Sequence, residues 1–178
     1  MVVYTVGHST MPLESFLALL GTSAIGGVAD VRRYPASRRH PHFTREPLAA
    51  ALEDAGLAYT WLPGLGGRRP AREGSPHVAW QNASFRAYAD HMGTAEFEGD
   101  LTRLLELARA RPTAVLCAEA VPWRCHRQLI AAALGARGIE VRHLIGGAPP
   151  APHRLTSFAR VEGDRVIYDR GQLRLASP

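Results

Sequence analysis

Lysine is absent from this chain of 178 residues, and all 21 basic side chains are arginine. Cysteine is scarce, with Cys117 and Cys125 the only two. Two cysteines cannot build a disulfide framework or a four-cysteine zinc site. No apolar run approaches the roughly 18–20 residues of a membrane span. The opening MVVYTVGHST also lacks a basic segment before a hydrophobic one. No repeat or low-complexity tract is visible. None of the glycine-containing runs has the P-loop or GxGxxG pattern that ATP- and NAD-binding loops use. The expectations are a cytoplasmic protein with no membrane partner and no cofactor.

What is present is a normal globular balance, 46% hydrophobic and 21% charged residues. The length predicts a single α/β domain over 1–178. Short apolar runs alternate with segments of helical period. Strands are expected at 2–6, 27–31, 58–62, 113–117 and 140–145, and helices at 12–20, 47–55, 82–92, 94–110 and 122–137. Phe97, Leu101, Leu104, Leu105 and Ala108 form a buried stripe on the fourth helix, with Thr94 as its cap. Residues 63–76 are rich in glycine and proline and read as an irregular loop. A C-terminal extension over 148–178 carries a small hairpin turning at Glu162-Gly163-Asp164. Strand and helix in alternation predict a Rossmann-like three-layer sandwich with a mostly parallel sheet.

Open parallel sheets bind ligands beyond the carboxyl ends of their strands. The residues just past each expected strand therefore delimit a candidate site: the loops near 7–10, 30–45, 63–76 and 117–127. Ionisable and glycine residues gather at this one rim, where a random arrangement would scatter them over both ends. Arg32, Arg33, Arg38, Arg39 and Arg45 fall within fourteen residues, and Arg68, Arg69 and Arg72 form a second group. An arginine-favouring genome would explain the bulk surface but not the clusters. Guanidinium forks fit phosphate oxygens, so Arg32, Arg38, Arg68, Arg69 and Arg127 are candidate phosphate ligands, with Ser9 beside them. A solvated basic face is the plainer reading. Tyr34 and Trp123, in charged loops, are candidate stacking surfaces for a base.

Asp30 and Glu119 end two different strands, and a carboxylate there can activate water or face an oxocarbenium-like sugar. Either acid could instead be held by Arg32 or Arg127 as a structural ion pair. His8 is a candidate proton donor, or merely caps its turn. A Ser-His-acid triad is disfavoured because adjacent His8 and Ser9 rarely point at each other. Cys117 and Cys125 admit three readings: a thiol nucleophile, a zinc site with His126 and an acid, or packing. The spacing of the cysteines matches neither a Cys-(five residues)-Arg anion loop nor any familiar zinc finger. On a helix, Cys125 and His126 would point apart, so no metal is expected.

Gly7-His8-Ser9-Thr10, then Asp30-Val31-Arg32 with Pro35 and Arg38, and Leu116-Cys117-Ala118-Glu119 followed by Cys125-His126-Arg127 carry a resemblance. Together they resemble the bacterial family catalogued as domain of unknown function 488, from about Val3 to His143. The resemblance implies a Rossmann-like domain whose polar signature residues share one site, and it implies no particular reaction.

The residues themselves suggest a metal-independent hydrolase acting on nucleic acid (DNA before RNA) or a nucleotide. Cleavage of an N-glycosidic bond, as in a DNA-repair glycosylase, fits two carboxylates without a metal cage. The alternatives are a non-catalytic nucleic-acid- or nucleotide-binding module and a thiol enzyme using Cys117 or Cys125.

Overall fold

The computed structural model describes residues 1–169. Five strands form a parallel sheet: β1 (Val2–Gly7), β2 (Gly27–Asp30), β3 (Ala58–Trp61), β4 (Thr113–Cys117) and β5 (Glu140–Leu144). A two-residue strand, β6 (Ala151–Pro152), adds antiparallel to β5 at the edge, where a proline removes no needed donor. The spatial order is β3-β2-β4-β1-β5-β6. A separate hairpin of β7 (Arg160–Glu162) and β8 (Arg165–Ile167) turns through Gly163 at φ 60°. The α/β class, the mostly parallel sheet and the terminal hairpin are as the sequence implies.

Side chains alternate along the strands and so divide the core in two. Val6, Val28, Ala114 and Leu116 pack beneath α1 (Leu13–Gly21) and α2 (Arg45–Asp54), where Phe16, Leu20, Leu48 and Leu52 have no exposed surface. Each such side chain contributes roughly 1.5–3 kcal/mol by leaving water. On the opposite face Val3, Ala29, Val115 and Val141 meet α3 (Ala83–His91), α4 (Ala95–Ala110) and α5 (Arg127–Ala136). The caps are local. Asn82 Oδ1 accepts from the amides of Ser84 and Phe85, and Thr94 Oγ1 from that of Phe97. Among the described residues no helix is long and apolar enough to cross a membrane.

This order fixes where a ligand can enter. β4 lies between β1 and β2. The chain leaving β1 or β2 turns toward the α1/α2 face, whereas the chain leaving β4 turns toward α5 on the other. Two switch points thus flank the end of β4, and diverging loops leave a crevice there.

One element departs from its expected limits in a way that matters. The predicted helix over 122–137 begins instead at Arg127, after a single 3-10 turn at Pro122–Arg124. Cys125 is extended (φ −137°, ψ 148°), and His126 is the residue before the helix. Pro122 fits the first position of the short turn as well as that of a long helix, so the break has no signal in the spacing.

Candidate functional site at the sheet switch point

A cleft of about 390 Å³ opens at the carboxyl end of β4. The loops after β1, β2, β3 and β4 all reach it, through Ser9, Arg33, Gly67 and Glu119 among others. Its floor is pinned by backbone bonds that prolong the β1–β4 ladder. The His8 amide donates to Cys117 O at 3.1 Å and the Ser9 amide to Ala118 O at 2.8 Å. Gly7 is where the two chains touch: a Cβ there would lie 1.7 Å from Glu119 O. Ser9 holds φ at 46°, a left-handed backbone that an isolated serine disfavours.

On the α1/α2 side the floor is an ion-pair knot. Asp30 is fully buried. Its Oδ1 accepts from Arg32 N (3.0 Å) and Nε (2.8 Å), and its Oδ2 from Arg32 Nη2 (2.5 Å) and the Tyr59 hydroxyl (2.8 Å). Arg32 also donates through Nη1 to Phe43 O at 2.6 Å and to His8 Nε2 at 3.2 Å. His8 in turn donates from Nδ1 to Ser9 O at 2.9 Å and stacks on Phe43 with ring centroids 4.2 Å apart. Burial first, then the neighbouring Arg32 charge, lowers the His8 pKa to about 4, so its imidazole is neutral at neutral pH.

The knot corrects two expectations. The two Asp30 oxygens already accept four bonds and the group does not line the cleft, so it is the structural partner of Arg32 and not a water-activating acid. His8 does line the cleft, but as an acceptor already engaged by Arg32 and not as a protonated donor.

On the α3–α5 side the floor is built of sulfur and imidazole. His126 donates from Nε2 to Val31 O at 3.3 Å, which leaves Nδ1 as its lone-pair atom. That Nδ1 is 3.7 Å from Cys125 Sγ and 3.9 Å from Cys117 Sγ. Cys125 and His126 converge because they precede α5, contrary to the expectation that they point apart. Hydrogen bonding between the thiols sets their order. The Cys117 pKa rises, and that of Cys125 falls as its thiolate is favoured first by the Cys117 thiol and then by the adjoining Arg127 charge. Arg127 is fully buried, donating to Cys125 Sγ from Nε at 3.4 Å and to Glu119 O from Nη2. It points inward and does not reach the cleft, so it is not the expected phosphate ligand.

At the rim the expected guanidinium arc is redistributed. Arg69 is spent on Glu96 and on the carbonyls of Pro63, Gly64 and Gly66, which shapes the loop after β3. Arg38 is exposed but does not line the cleft. Arg68 does, and so do Arg33 and Arg124, two residues that sequence reasoning left out of the site. Their signal was adjacency to Arg32 and Cys125, which cannot show which of two neighbouring arginines faces the crevice. None of Arg33, Arg68 and Arg124 forms an ion pair among the described residues. Glu119 is exposed in the cleft, and among the described residues no ion pair engages its carboxylate. Tyr34 lines it at 63% exposure, while Trp123 stands 59% exposed beside Arg124.

No curated protein and no solved structure matches this chain. Residues 12–134 match the family described as Domain of unknown function DUF488, a span that holds Asp30, Arg32, Cys117, Glu119 and the Cys125-His126-Arg127 run, with Gly7 to Ser9 just before it. Since that span is more than half of its length, the chain belongs to the DUF488 family.

Proposed function

We propose that the cleft binds the phosphate-bearing part of a nucleic acid or nucleotide and hydrolyses it, with Glu119 as the carboxylate that manages water. One observation carries this reading: three guanidinium groups without acid partners among the described residues line the same cleft as one unpaired carboxylate at a sheet switch point. Arg33, Arg68 and Arg124 supply forks for phosphate oxygens. Tyr34 supplies an exposed ring at the cleft on which a base can stack, whereas the exposed Trp123 ring is not part of the cleft lining. The cleft volume of about 390 Å³ lies in the range of small-ligand sites.

Cleavage of an N-glycosidic bond is the form this residue set fits best. A lone carboxylate can activate water against, or stabilise, an oxocarbenium-like sugar, whereas two-metal phosphodiester cleavage needs several carboxylates around its ions. On duplex DNA the base would have to be flipped into the cleft. Labelled oligonucleotides carrying normal, deaminated, alkylated and oxidised bases, heated in alkali after incubation, test it. Glu119→Gln is expected to abolish alkali-dependent breaks while leaving salt-sensitive binding in place. Base release retained by Glu119→Gln, or no release from any substrate, overturns the reading.

A second reading is favoured by the full engagement of Asp30, which removes one of the two acids a hydrolase could use. It is non-catalytic capture of the same polyanion, with affinity that falls linearly in log salt and is indifferent to Glu119→Gln.

A further inference from the structure

Three side chains at the cleft floor have a geometry the hydrolytic reading does not use. The ligand atoms of Cys117, Cys125 and His126 all lie within 4.8 Å of one another. A tetrahedral zinc with Zn–S near 2.3 Å and Zn–N near 2.0–2.1 Å has ligand-to-ligand edges of roughly 3.6–3.8 Å. The two sulfur-to-imidazole edges here are 3.7 and 3.9 Å and the sulfur-to-sulfur edge is within 4.8 Å, so rotation of the cysteine side chains toward each other closes the three around one ion. We propose that Cys117, Cys125 and His126 form a mononuclear site for a thiophilic divalent cation, zinc foremost, with its fourth position open to the cleft.

The surroundings have the features that such a centre needs. The bond from His126 Nε2 to Val31 O fixes the tautomer that presents Nδ1 to the ion. Arg127 donates to Cys125 Sγ from beneath, an outer-shell bond suited to a thiolate ligand. Gly67 leaves the Nδ1 side of the ring free, because a Cβ at that position would lie 2.9 Å from Nδ1. All three ligands line the cleft. Three protein ligands with a fourth place for water or substrate is the pattern of catalytic zinc, whereas structural zinc is closed by four. Two thiolates neutralise the ion, and the buried Arg127 leaves the centre net positive toward the cleft, which suits an anionic ligand at the open position. A water bound there would be acidified, or a substrate oxygen polarised.

This inference stands apart from base release. It is tested on the purified full chain by cobalt(II) titration and, separately, by zinc release on organomercurial titration. The chain has only two thiols, so the stoichiometry is unambiguous. One cobalt per chain is expected, with thiolate-to-cobalt charge transfer and intense tetrahedral visible bands, displaced by equimolar zinc. Mercurial is expected to free one zinc per two thiols. Cys117→Ser, Cys125→Ser and His126→Ala should each weaken binding by more than the ~10–100-fold typical of an outer-shell loss. Gly67→Ala should weaken it without removing a ligand. Thermal unfolding of each variant, run without metal, separates lost binding from a lost fold. An octahedral cobalt spectrum, or thiols that react equally fast with and without zinc, overturns the site. A Cys117–Cys125 disulfide forming in the presence of excess zinc does the same. An unsubstituted chain that takes up one cobalt yet releases no base from any of the oligonucleotides would place the failure in the hydrolytic reading and leave the metal site standing.

Discussion

Two arginines lie buried beneath the same cleft, one on each face of the sheet, and they are balanced by different means. Arg32 meets the Asp30 carboxylate through both prongs of its fork, with Tyr59, Phe43 O and His8 as further partners of the pair. Arg127 has no carboxylate partner among the described residues; its bonds go to a backbone carbonyl and to Cys125 Sγ. The knot matches four of the five Arg32 side-chain N–H groups and puts four bonds on Asp30, which holds the loops after β1 and β2 while only Arg32 and His8 of its side chains border the cleft. A guanidinium balanced by a sulfur leaves that sulfur's electron density adjustable. The cleft therefore has a rigid, ion-paired wall and a wall of sulfur and imidazole, and the two can be told apart by substitution.

The largest expected effects come from opening the rigid wall. Asp30→Asn or Arg32→Met leaves its partner charged and buried, and breaking such a pair costs about 3–5 kcal/mol. Arg127→Met removes hydrogen bonds but orphans no carboxylate, so about 1–3 kcal/mol is expected. Urea denaturation of the three variants checks the order. Equal losses for Arg32→Met and Arg127→Met would erase the distinction between the walls.

Acid sharpens it next. His143 accepts from or donates to Thr5 Oγ1 at 2.7 Å and shares a 3.1 Å bond with His153, and neither ring lines the cleft. Burial, and for His143 the adjoining His153, lowers both from the ordinary 6.5 to about 4. The folded chain thus binds fewer protons than the unfolded one between those values. The stability this pair contributes is whole above pH 6.5 and is lost as pH falls toward 4. After allowance for their partial contact with solvent, the loss is about 1–2 kcal/mol. Denaturation at pH 7 and pH 4.5 should show it, and a His143→Leu/His153→Leu double variant should flatten the dependence. The smallest effect is expected far from both walls: Thr94→Ala removes the cap of α4 and should cost about 1 kcal/mol with the cleft unchanged.

Much of the framework was legible because it is written in local periodicity. β4 runs from Thr113 to Cys117 as its apolar, β-branched run predicts, and Thr94 caps α4 as its position before the stripe implies. The residues immediately past each strand also located the cleft, since β/α order places loops at one rim whatever the strand order is. Which side chains enter it was not legible. Arg69 and Arg68 are neighbours in one loop, yet one braces it against Glu96 and the other lines the cleft. Asp30 and Glu119 both end a strand or its loop, yet one is sealed by Arg32 and the other stands open to the cleft.

Period and punctuation in the sequence determined the elements, their faces and the rim at which chemistry gathers, because propensity and amphipathicity act over a few residues at a time. Only the tertiary structure decided that β4 inserts between β1 and β2, that the chain breaks at Cys125 before α5, and that two sulfurs and an imidazole nitrogen converge there. Those outcomes depend on contacts between residues far apart in the chain. Burial and charge pairing set them, and neither can be read from spacing.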